Sequence, residues 1–403
     1  MPKLKPLKKI VGKAKELRAN HRERHRSTGF GFALAESIDY LDSKHWDALT
    51  AQASIFLSRP YLRALETAGP ENVQQRYALV FRGREPVAAL AAQSVSVSAA
   101  HVPKGTPRKT VTATLQRVEE RMLVCGNLLS WGPHGMAFKP GEDRCELWAA
   151  TAEALYKIRR ADRLLGNTDL VMIKDVPDEH APEIETLKRF SYRALETEPN
   201  MVLELSPSWR SYEDYLASLT SNYRKTARKI AKDVETVGYR VEPLHEIERE
   251  ADALHALYLQ VHERQKLRLV TLAPTFIPTL AATFGDALRC TVVRRDDQML
   301  GFVTTLRDGE TAVGYYIGFD GGANAEAPIY FRLLQAVIED AIHLGCRRIS
   351  LGRTALEPKA RLGARPAPLR VWLRHRIPAL NLVVRGLLQT VSHEEAPERN
   401  PFK

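Results

Sequence analysis

The amino-acid sequence predicts an α/β protein of two tandem lobes, each a mixed, largely antiparallel sheet flanked by helices. Three observations predict this fold class. The chain has 403 residues, which is more than one ordinary domain needs. Its composition, 44% hydrophobic and 27% charged, is typical of a globular protein. The same order of elements, hairpin, strand, helix and strand, also occurs twice at an offset of about 210 residues.

Each copy of this order begins with an antiparallel hairpin around a polar turn. The first hairpin joins strands over residues 76–81 and 86–97, and the second joins strands over 288–293 and 299–306. The remaining elements are expected at these positions: in the first copy a strand at 121–129, a helix at 142–162 and a strand at 169–176, and in the second a strand at 311–319, a helix at 328–344 and a strand at 347–351. The order indicates that one α/β unit was duplicated.

A long helical segment separates the two copies. Between residues 211 and 237 the apolar side chains advance by three or four positions, which predicts one helix with a single buried stripe. Residues 246–267 predict a second long helix. The chain is therefore divided into an arm over 1–27, a first lobe over 28–200, a second lobe over 201–376, and a C-terminal helix and tail over 377–403.

The formal net charge of +11 is concentrated in the arm. Residues 1–27 contain ten Lys and Arg against two acidic residues, opposite a helical stripe that includes Leu4, Leu7 and Val11. Such a helix can lie on an anionic membrane surface, and the alternative is a solvated, partly disordered arm. The rest of the chain is close to neutral, so nucleic-acid binding is not expected. The oligomeric state stays open.

Composition and motif spacing exclude several classes of protein. The four cysteines have no CxxC or CxxH spacing, which argues against structural zinc and a disulfide framework and favours a reducing, cytoplasmic location. No metal site is predicted. No continuous apolar run reaches the length of a membrane span, and no secretory signal is recognisable. His343 and His375 have no Ser or Cys at a spacing that would indicate a nucleophile, so a catalytic triad is not expected.

Three segments of the second half carry a family resemblance. Residues 221–229 (SNYRKTARK) form a basic helix, residues 315–330 lead from the strand end YYIGFD to the helix start APIY, and residues 351–369 contain LGRT followed by KARLGARP. Together they resemble the GNAT-like N-acyltransferase superfamily, in its tandem-GNAT group of FemAB-related and CelD/BcsL-type acyltransferases. The resemblance covers about residues 200–376 and includes the first lobe only in outline. The Arg/Gln-x-x-Gly-x-Gly/Ala pyrophosphate signature of acetyl-CoA-dependent GNAT enzymes is absent, so the donor stays open.

The resemblance implies an acyl donor in the second lobe. The loop at residues 320–324 would lie where donor phosphates meet free backbone N–H groups at a helix start, unless it is an ordinary turn capped by Asn324. The cations after the last strand would bind phosphates or carboxylates, unless they belong to a solvated loop. We expect these donor-binding residues: Gly321, Gly322, Asn324, Arg353, Lys359, Arg361, Arg224 and Lys225.

The catalytic residues are expected around the same cleft. Tyr330 would protonate the leaving thiolate or hold a substrate amide, although it would equally suit packing on the sheet. Glu357 is the candidate base if an apolar pocket raises its pKa. Tyr316 is a third candidate, and since it follows Tyr315 along one strand, the two side chains should point to opposite faces. The turn-rich loop at 131–135 is interpreted as structural.

The sequence thus predicts acyl transfer from a thioester, acyl-CoA in the first instance, to an amine of an envelope, polysaccharide or metabolite precursor. Direct attack by the amine is expected, with no tightly bound cofactor. Two alternatives remain: a Fem-type transferase that uses aminoacyl-tRNA, and a non-catalytic scaffold at the inner face of the membrane that keeps the fold.

Overall fold

A computed structural model describes residues 26–98, 119–265, 268–377 and 397–403. The arm predicted over 1–27 and the helix predicted after residue 377 therefore lie almost wholly outside the described residues. Across the described ranges, no helix combines the length and the apolar character that crossing a bilayer requires.

The first sheet contains eight strands in the order β1-β2-β3-β4-β6-β15-β7, with β5 paired to β3. Its central hairpin, β2 and β3, follows the predicted hairpin of the first copy, and β4 pairs with β6 in parallel. The strands are β1 (Gly31–Ala35), β2 (Val73–Arg82), β3 (Glu85–Ser98), β4 (Glu119–Cys125), β5 (Met136–Phe138), β6 (Thr168–Pro177), β7 (Arg193–Glu196) and β15 (Leu369–His375).

The second sheet contains seven strands in the order β14-β8-β13-β12-β11-β10-β9. It repeats the plan of the first, because a hairpin of β10 and β11 leads to β12, which pairs in parallel with β13. The strands are β8 (Asn200–Glu204), β9 (Arg240–Pro243), β10 (Leu288–Arg295), β11 (Gln298–Asp308), β12 (Thr311–Phe319), β13 (Arg348–Ser350) and β14 (Arg365–Ala367).

Helices cover both sheets. The crossover helices of the two copies, α3 and α10, occupy the positions that the sequence predicts. The helices are α1 (Ser43–Thr50), α2 (Arg59–Ala68), α3 (Arg144–Ala161), α4 (Ala181–Ile184), α5 (Tyr212–Ser218), α6 (Ser221–Thr236), α7 (Ala251–His262), α8 (Phe276–Phe284), α9 (Gly321–Glu326), α10 (Ile329–His343) and α11 (Leu356–Arg361).

Two helical predictions need correction. The single helix predicted over 211–237 is two helices, because Leu219 forms a bridge with Phe402 and the next residue, Thr220, is extended and precedes α6. The loop predicted at 320–324 is mostly the short helix α9, because the Asp320 carboxylate accepts the N–H of Ala323 and starts a helical turn.

One strand returns from the second lobe to the first sheet. β8, the first strand after the first lobe, pairs with β13 in the second sheet, whereas β15 follows the elements of the second lobe but lies between β6 and β7 in the first sheet. The sequence-based division places residues 369–375 in the second lobe. The structure gives this strand to the first sheet, since its apolar residues, including the buried Trp372, pack into the core there.

One hydrophobic core joins the lobes. Trp46 and Leu62 of the first lobe belong to the same buried cluster as Leu254 and Phe302 of the second. Helix α7 approaches β12 closely because Gly318 has no side chain: a Cβ there would lie 2.6 Å from the carbonyl carbon of Leu257. The lobes are thus packed as one unit.

Candidate active site

The parallel strands of the second sheet separate after a short paired region. β12 and β13 are in register only from Thr311–Arg348 to Val313–Ser350, although β12 continues to Phe319. In the first sheet, by contrast, β4 stays paired with β6 to its last residue, Cys125. A cleft between parallel strands therefore opens in the second lobe. Within the described ranges, the backbone of β12 beyond Val313 has no strand partner on that side.

A cavity of about 630 Å³ occupies this cleft, and we call it the donor cavity. β12 and the residues after β13 form two walls, and α10 and the end of α7 cover it. Most of its surface is apolar. Its walls include Leu128, Leu129, Tyr258, Val261, Leu269, Val270, Gly314, Tyr315, Tyr316, Phe319, Tyr330, Leu334, Val337, Leu351, Arg353 and Lys359.

A β-bulge places two tyrosines on the same side of β12. Between Val303 and Thr305 the register shifts, so Thr304 faces both Tyr315 and Tyr316. The hydroxyl of Thr304 accepts the N–H of Tyr316 at 3.0 Å, which fixes the bulge. The two rings lie 4.5 Å apart, and both line the donor cavity. The prediction that they face opposite sides was wrong because strict alternation fails at a bulge.

The two phenols have different partners. The Tyr315 hydroxyl is 2.7 Å from that of Tyr61, and the Tyr316 hydroxyl donates to the backbone oxygen of Leu129 at 2.9 Å. Burial holds the pKa of both tyrosines well above the usual value. Tyr316 is therefore a protonated hydrogen-bond donor that ties the first lobe to the second.

Tyr330 lies in the first turn of α10 and lines the donor cavity, as the sequence predicts. Its N–H donates to Oδ1 of Asn324 at 2.9 Å, so Asn324 caps this helix. Its phenol has no hydrogen-bond partner among the described residues. Burial raises the pKa of Tyr330 to about 12, which keeps the phenol protonated at neutral pH.

The two glycines of the predicted phosphate loop do not present free N–H groups in the expected way. The N–H of Gly321 donates to Oε1 of Gln260 at 3.2 Å, and a Cβ at Gly321 would lie 2.3 Å from the guanidinium of Arg264. Gly322 is exposed. Both are in the short helix α9, just after Phe319, which lines the donor cavity.

Lys359 lines the donor cavity from α11 and is only 4% exposed. Burial lowers its pKa to about 7, against 10.5 for an exposed lysine, and the charge of Glu198 offsets part of this effect. Among the described residues, no hydrogen-bond or ion-pair acceptor contacts its ammonium. Lys359 therefore lies where the sequence predicts, but as a partly neutral amine.

Arg353 also reaches the donor cavity, and it pairs with a carboxylate of the first lobe. Asp175 is fully buried, has a left-handed backbone with φ 58°, and forms ion pairs with Arg353 and with Lys174. Asp175 also accepts the N–H of Gly132 at 3.0 Å. Burial lowers the pKa of Arg353 to about 10, and its Nε finds no hydrogen-bond partner in the part of the chain that the structure describes.

Like Gly321, Gly322 and Asn324, four more predicted site residues lie outside the donor cavity: Glu357, Arg361, Arg224 and Lys225. The Glu357 carboxylate accepts hydrogen bonds from Arg361 at 2.9 Å and from Arg399 at 3.0 Å. These two guanidinium groups lower the pKa of Glu357. The expected raised pKa was wrong, so Glu357 does not have the properties of a general base. Arg224 and Lys225 lie on α6 and are absent from the cavity wall in the described part of the chain.

A second cavity of about 770 Å³ lies between the lobes, and we call it the interlobe cavity. It is more polar than the donor cavity. Trp131 and Lys174 line both cavities and form their common wall. The indole N–H of Trp131 donates to Oγ of Ser350 at 2.7 Å, and Gly352, with φ +80°, leaves room for the ring. The loop at 131–135 is thus part of the site.

Sequence reasoning missed Lys174, Asp175 and the wall formed by Trp131. No short-range pattern marks the two charged residues, because they lie at the end of a buried strand and meet Arg353 only in the fold. The turn-rich segment around Trp131 was the one available signal. Across the described ranges, no cluster of three His, Cys, Asp or Glu could hold a metal ion.

Comparisons with known proteins agree with this geometry. Residues 220–360 match the family model described as "Acetyltransferase (GNAT) domain". The chain is similar to the crystal structure of FemX, with a TM-score of 0.51 and 10% identity over 87% of this chain and 99% of the other. It is also similar to a tandem GNAT protein from the clavulanic acid biosynthesis pathway, with a TM-score of 0.50 and 13% identity over 86% and 98%.

No curated protein sequence matches the chain. At these identities the two structures establish the fold alone, while the family model covers the strands and helices of the second lobe that line the donor cavity. Residues 220–360 therefore match a GNAT acetyltransferase domain, within a chain that has the fold of two tandem GNAT-like lobes.

Proposed function

We propose that this protein is an N-acyltransferase that moves an acyl group from a thioester, acyl-CoA in the first instance, to a primary amine. The observation that carries the proposal is the separation of β12 from β13 inside the GNAT domain. The first lobe has no equivalent opening between β4 and β6. The second lobe is accordingly the one that would take the donor.

The unpaired edge of β12 suits the extended pantetheine arm of such a donor. Strand edges bind extended ligands through backbone N–H and C=O groups, as in β-strand addition. The arm carries two amides that can bond in this way, and the apolar walls suit its methyl groups and an acyl chain. The similar tandem GNAT protein of the clavulanic acid pathway is described as a structure without AcCoA, and this mention of AcCoA for that protein supports the choice of donor.

The interlobe cavity is the route that we assign to the acceptor. It is more polar than the donor cavity, it opens between the lobes, and it meets the donor cavity at Trp131 and Lys174. An amine that enters from this side reaches the thioester without displacing the donor. The proposal assigns the acceptor a chemical class only: a primary amine of an envelope precursor, a polysaccharide or a metabolite.

The reaction would proceed by direct attack. The acceptor, as a neutral amine, adds to the thioester carbonyl, the C–N bond forms, and the C–S bond breaks as the thiolate leaves. Tyr330, which is protonated at neutral pH, can give its phenolic proton to that thiolate, and its phenolate then takes up the proton that the acceptor nitrogen loses as the amide forms. Glu357 is not proposed as the base, since its carboxylate is held by two arginines.

Calorimetry with acetyl-, hexanoyl- and dodecanoyl-CoA tests the donor assignment. We expect the unaltered protein to bind at least one of them with a Kd on the order of micromolar. Tyr330→Trp fills the cavity and should weaken binding about tenfold or more, about 1.4 kcal/mol. Tyr330→Phe, the matched control, should bind normally and lose transfer. Lys225→Met, outside the cavity, should change neither.

Two outcomes would contradict the proposal. Absence of binding to every acyl-CoA would remove the donor assignment. Tight, salt-sensitive binding of aminoacyl-tRNA in a filter assay, without acyl-CoA binding, would replace it with a tRNA-dependent transfer. Binding that Tyr330→Trp leaves unchanged would place the donor elsewhere on the molecule.

A further inference from the structure

The common wall of the two cavities carries one titratable residue that faces both of them. Lys174 is near the end of β6, in the first lobe, and its side chain lines the donor cavity and the interlobe cavity. Among the described residues, the other titratable side chains of the donor cavity, including Tyr330 and Lys359, line that cavity alone. Lys174 therefore lies where a bound donor and an incoming amine would meet.

The contacts of Lys174 hold its amine in place. Its Nζ donates to the backbone oxygen of Ser130 at 2.7 Å and to the carboxylate of Asp175. Asp175 is itself fixed by the N–H of Gly132 and by Arg353. The side chain of Lys174 is 13% exposed, so the amine is positioned by the protein yet open to the cavities.

The charges of this cluster do not balance when both cations are protonated. One buried carboxylate, Asp175, faces two basic groups, Arg353 and Lys174. Guanidinium holds its proton far more strongly than ammonium does, so the buried site sheds its excess charge at the lysine. Burial and the charge of Arg353 indeed lower the pKa of Lys174 well below the usual value.

The other titratable neighbour does not compete for the proton. His134 is buried beside this cluster, and burial lowers its pKa to about 3, so it stays neutral. Its Nδ1 is 2.8 Å from Oγ of Ser130, which holds the loop that presents the Ser130 oxygen to Lys174. Lys174 is thus the basic group of the junction.

We infer that Lys174 of the first lobe accepts the proton of the acceptor ammonium, with Asp175 and Arg353 positioning it. This inference rests on the proposed function. In the step, one ammonium proton passes to the Lys174 amine, the neutral acceptor nitrogen forms a bond to the thioester carbon, and the sulfur leaves with the electrons of the C–S bond. The second proton that the nitrogen loses as the amide forms replaces the one that Tyr330 gives to the sulfur. Lys174 returns its proton to solvent through the interlobe cavity.

Lys359 is the natural rival because it too is buried, with a pKa of about 7. It lines only the donor cavity, whereas the acceptor is assigned to the other side of Trp131. Lys174→Met and Lys359→Met are therefore a matched pair of variants. Each replaces a buried, largely neutral amine with a side chain of similar length, and in Lys174→Met the pair of Asp175 and Arg353 remains to support the fold.

Two probe amines separate a proton acceptor from a structural residue. Hydroxylamine is neutral at pH 7 and needs no base, whereas ethylamine is an ammonium. With acetyl-CoA as donor, Lys174→Met should lose about 100-fold in transfer to ethylamine at pH 7 and little in transfer to hydroxylamine. Raising the pH to 10 should restore ethylamine transfer. Lys359→Met should not discriminate between the amines.

The outcomes distinguish the inference from the proposed function. Equal loss with both amines, or no loss with either, overturns the role of Lys174 and leaves the acyltransferase intact. No acyl-CoA binding by the unaltered protein removes the proposed function itself. If the donor binds but neither amine reacts, NMR titration of ¹³C-ε-lysine-labelled protein measures the pKa of Lys174 directly. The resonance of Lys174 is assigned by its absence in Lys174→Arg. A midpoint below about 8 supports the inference, and one near 10 overturns it.

Discussion

The buried amine of Lys359 makes a quantitative prediction about stability. Its pKa is about 7 in the folded protein, against 10.5 for an exposed lysine. Between these values the unfolded chain binds more protons than the folded one, so the free energy of unfolding rises with pH. The cost of burying this group is fully present below pH 7 and gone above pH 10.5, and its full size is about 5 kcal/mol. From pH 7 to pH 9 the recovered part is about 2 kcal/mol.

Lys359→Met removes this pH dependence while keeping a side chain of similar length. Urea unfolding of both proteins at pH 7, 8 and 9 measures it, and the shared core of the two lobes favours one cooperative transition. We expect the variant to be more stable at pH 7, with the difference shrinking by about 2 kcal/mol at pH 9. Titrating tyrosines and cysteines are common to both proteins and cancel. If the free energy of unfolding changed equally with pH in both proteins, the claim that this lysine is buried would be refuted.

Two further substitutions test the junction of the lobes. Asp175→Asn leaves two buried basic groups without their carboxylate and should lower the free energy of unfolding by about 3–5 kcal/mol in urea titrations. Asp178→Asn, which breaks a half-exposed pair with Arg370, should cost less than about 1 kcal/mol and is the control. Trp131→Ala removes the hydrogen bond to Ser350 and joins the two cavities, so we expect the free energy of unfolding to fall by about 2 kcal/mol. An unchanged thermal midpoint would contradict the role of Trp131 as the wall between the cavities.

Most of the fold could be predicted because local patterns of apolar and polar residues determine its strands and helices. The alternation of apolar residues around polar turns located both hairpins, and the strand at Thr311–Phe319 was predicted at its observed bounds. Non-local pairing was not predictable. Nothing in residues 369–375 indicates that this strand returns to the first sheet, and the break at Leu219 depends on Phe402, far away in the chain.

The same distinction holds for the site. Tyr330, Arg353 and Lys359 lie around one cleft because each follows an element that the sequence locates. The state of each group depends on partners that only the fold supplies. Hydrogen bonds from Arg361 and from the distant Arg399 lower the pKa of Glu357, whereas we expected from the sequence that an apolar pocket would raise it. Tyr316 lies on the same side of β12 as Tyr315 because one extra residue in β12 breaks the alternation of side chains along the strand.

The return of β15 to the first sheet has a practical consequence for anyone who divides this chain into parts. A fragment that ends near residue 200 lacks β15, so β6 and β7 lose the neighbour that lies between them. A fragment that starts near residue 200 keeps the second sheet, but its β15 has lost both neighbours, β6 and β7. Either piece would expose two unsatisfied strand edges, which invite aggregation. Expressed halves are therefore poor surrogates for the intact polypeptide, and loss of activity in a truncated protein says nothing about which half performs the chemistry.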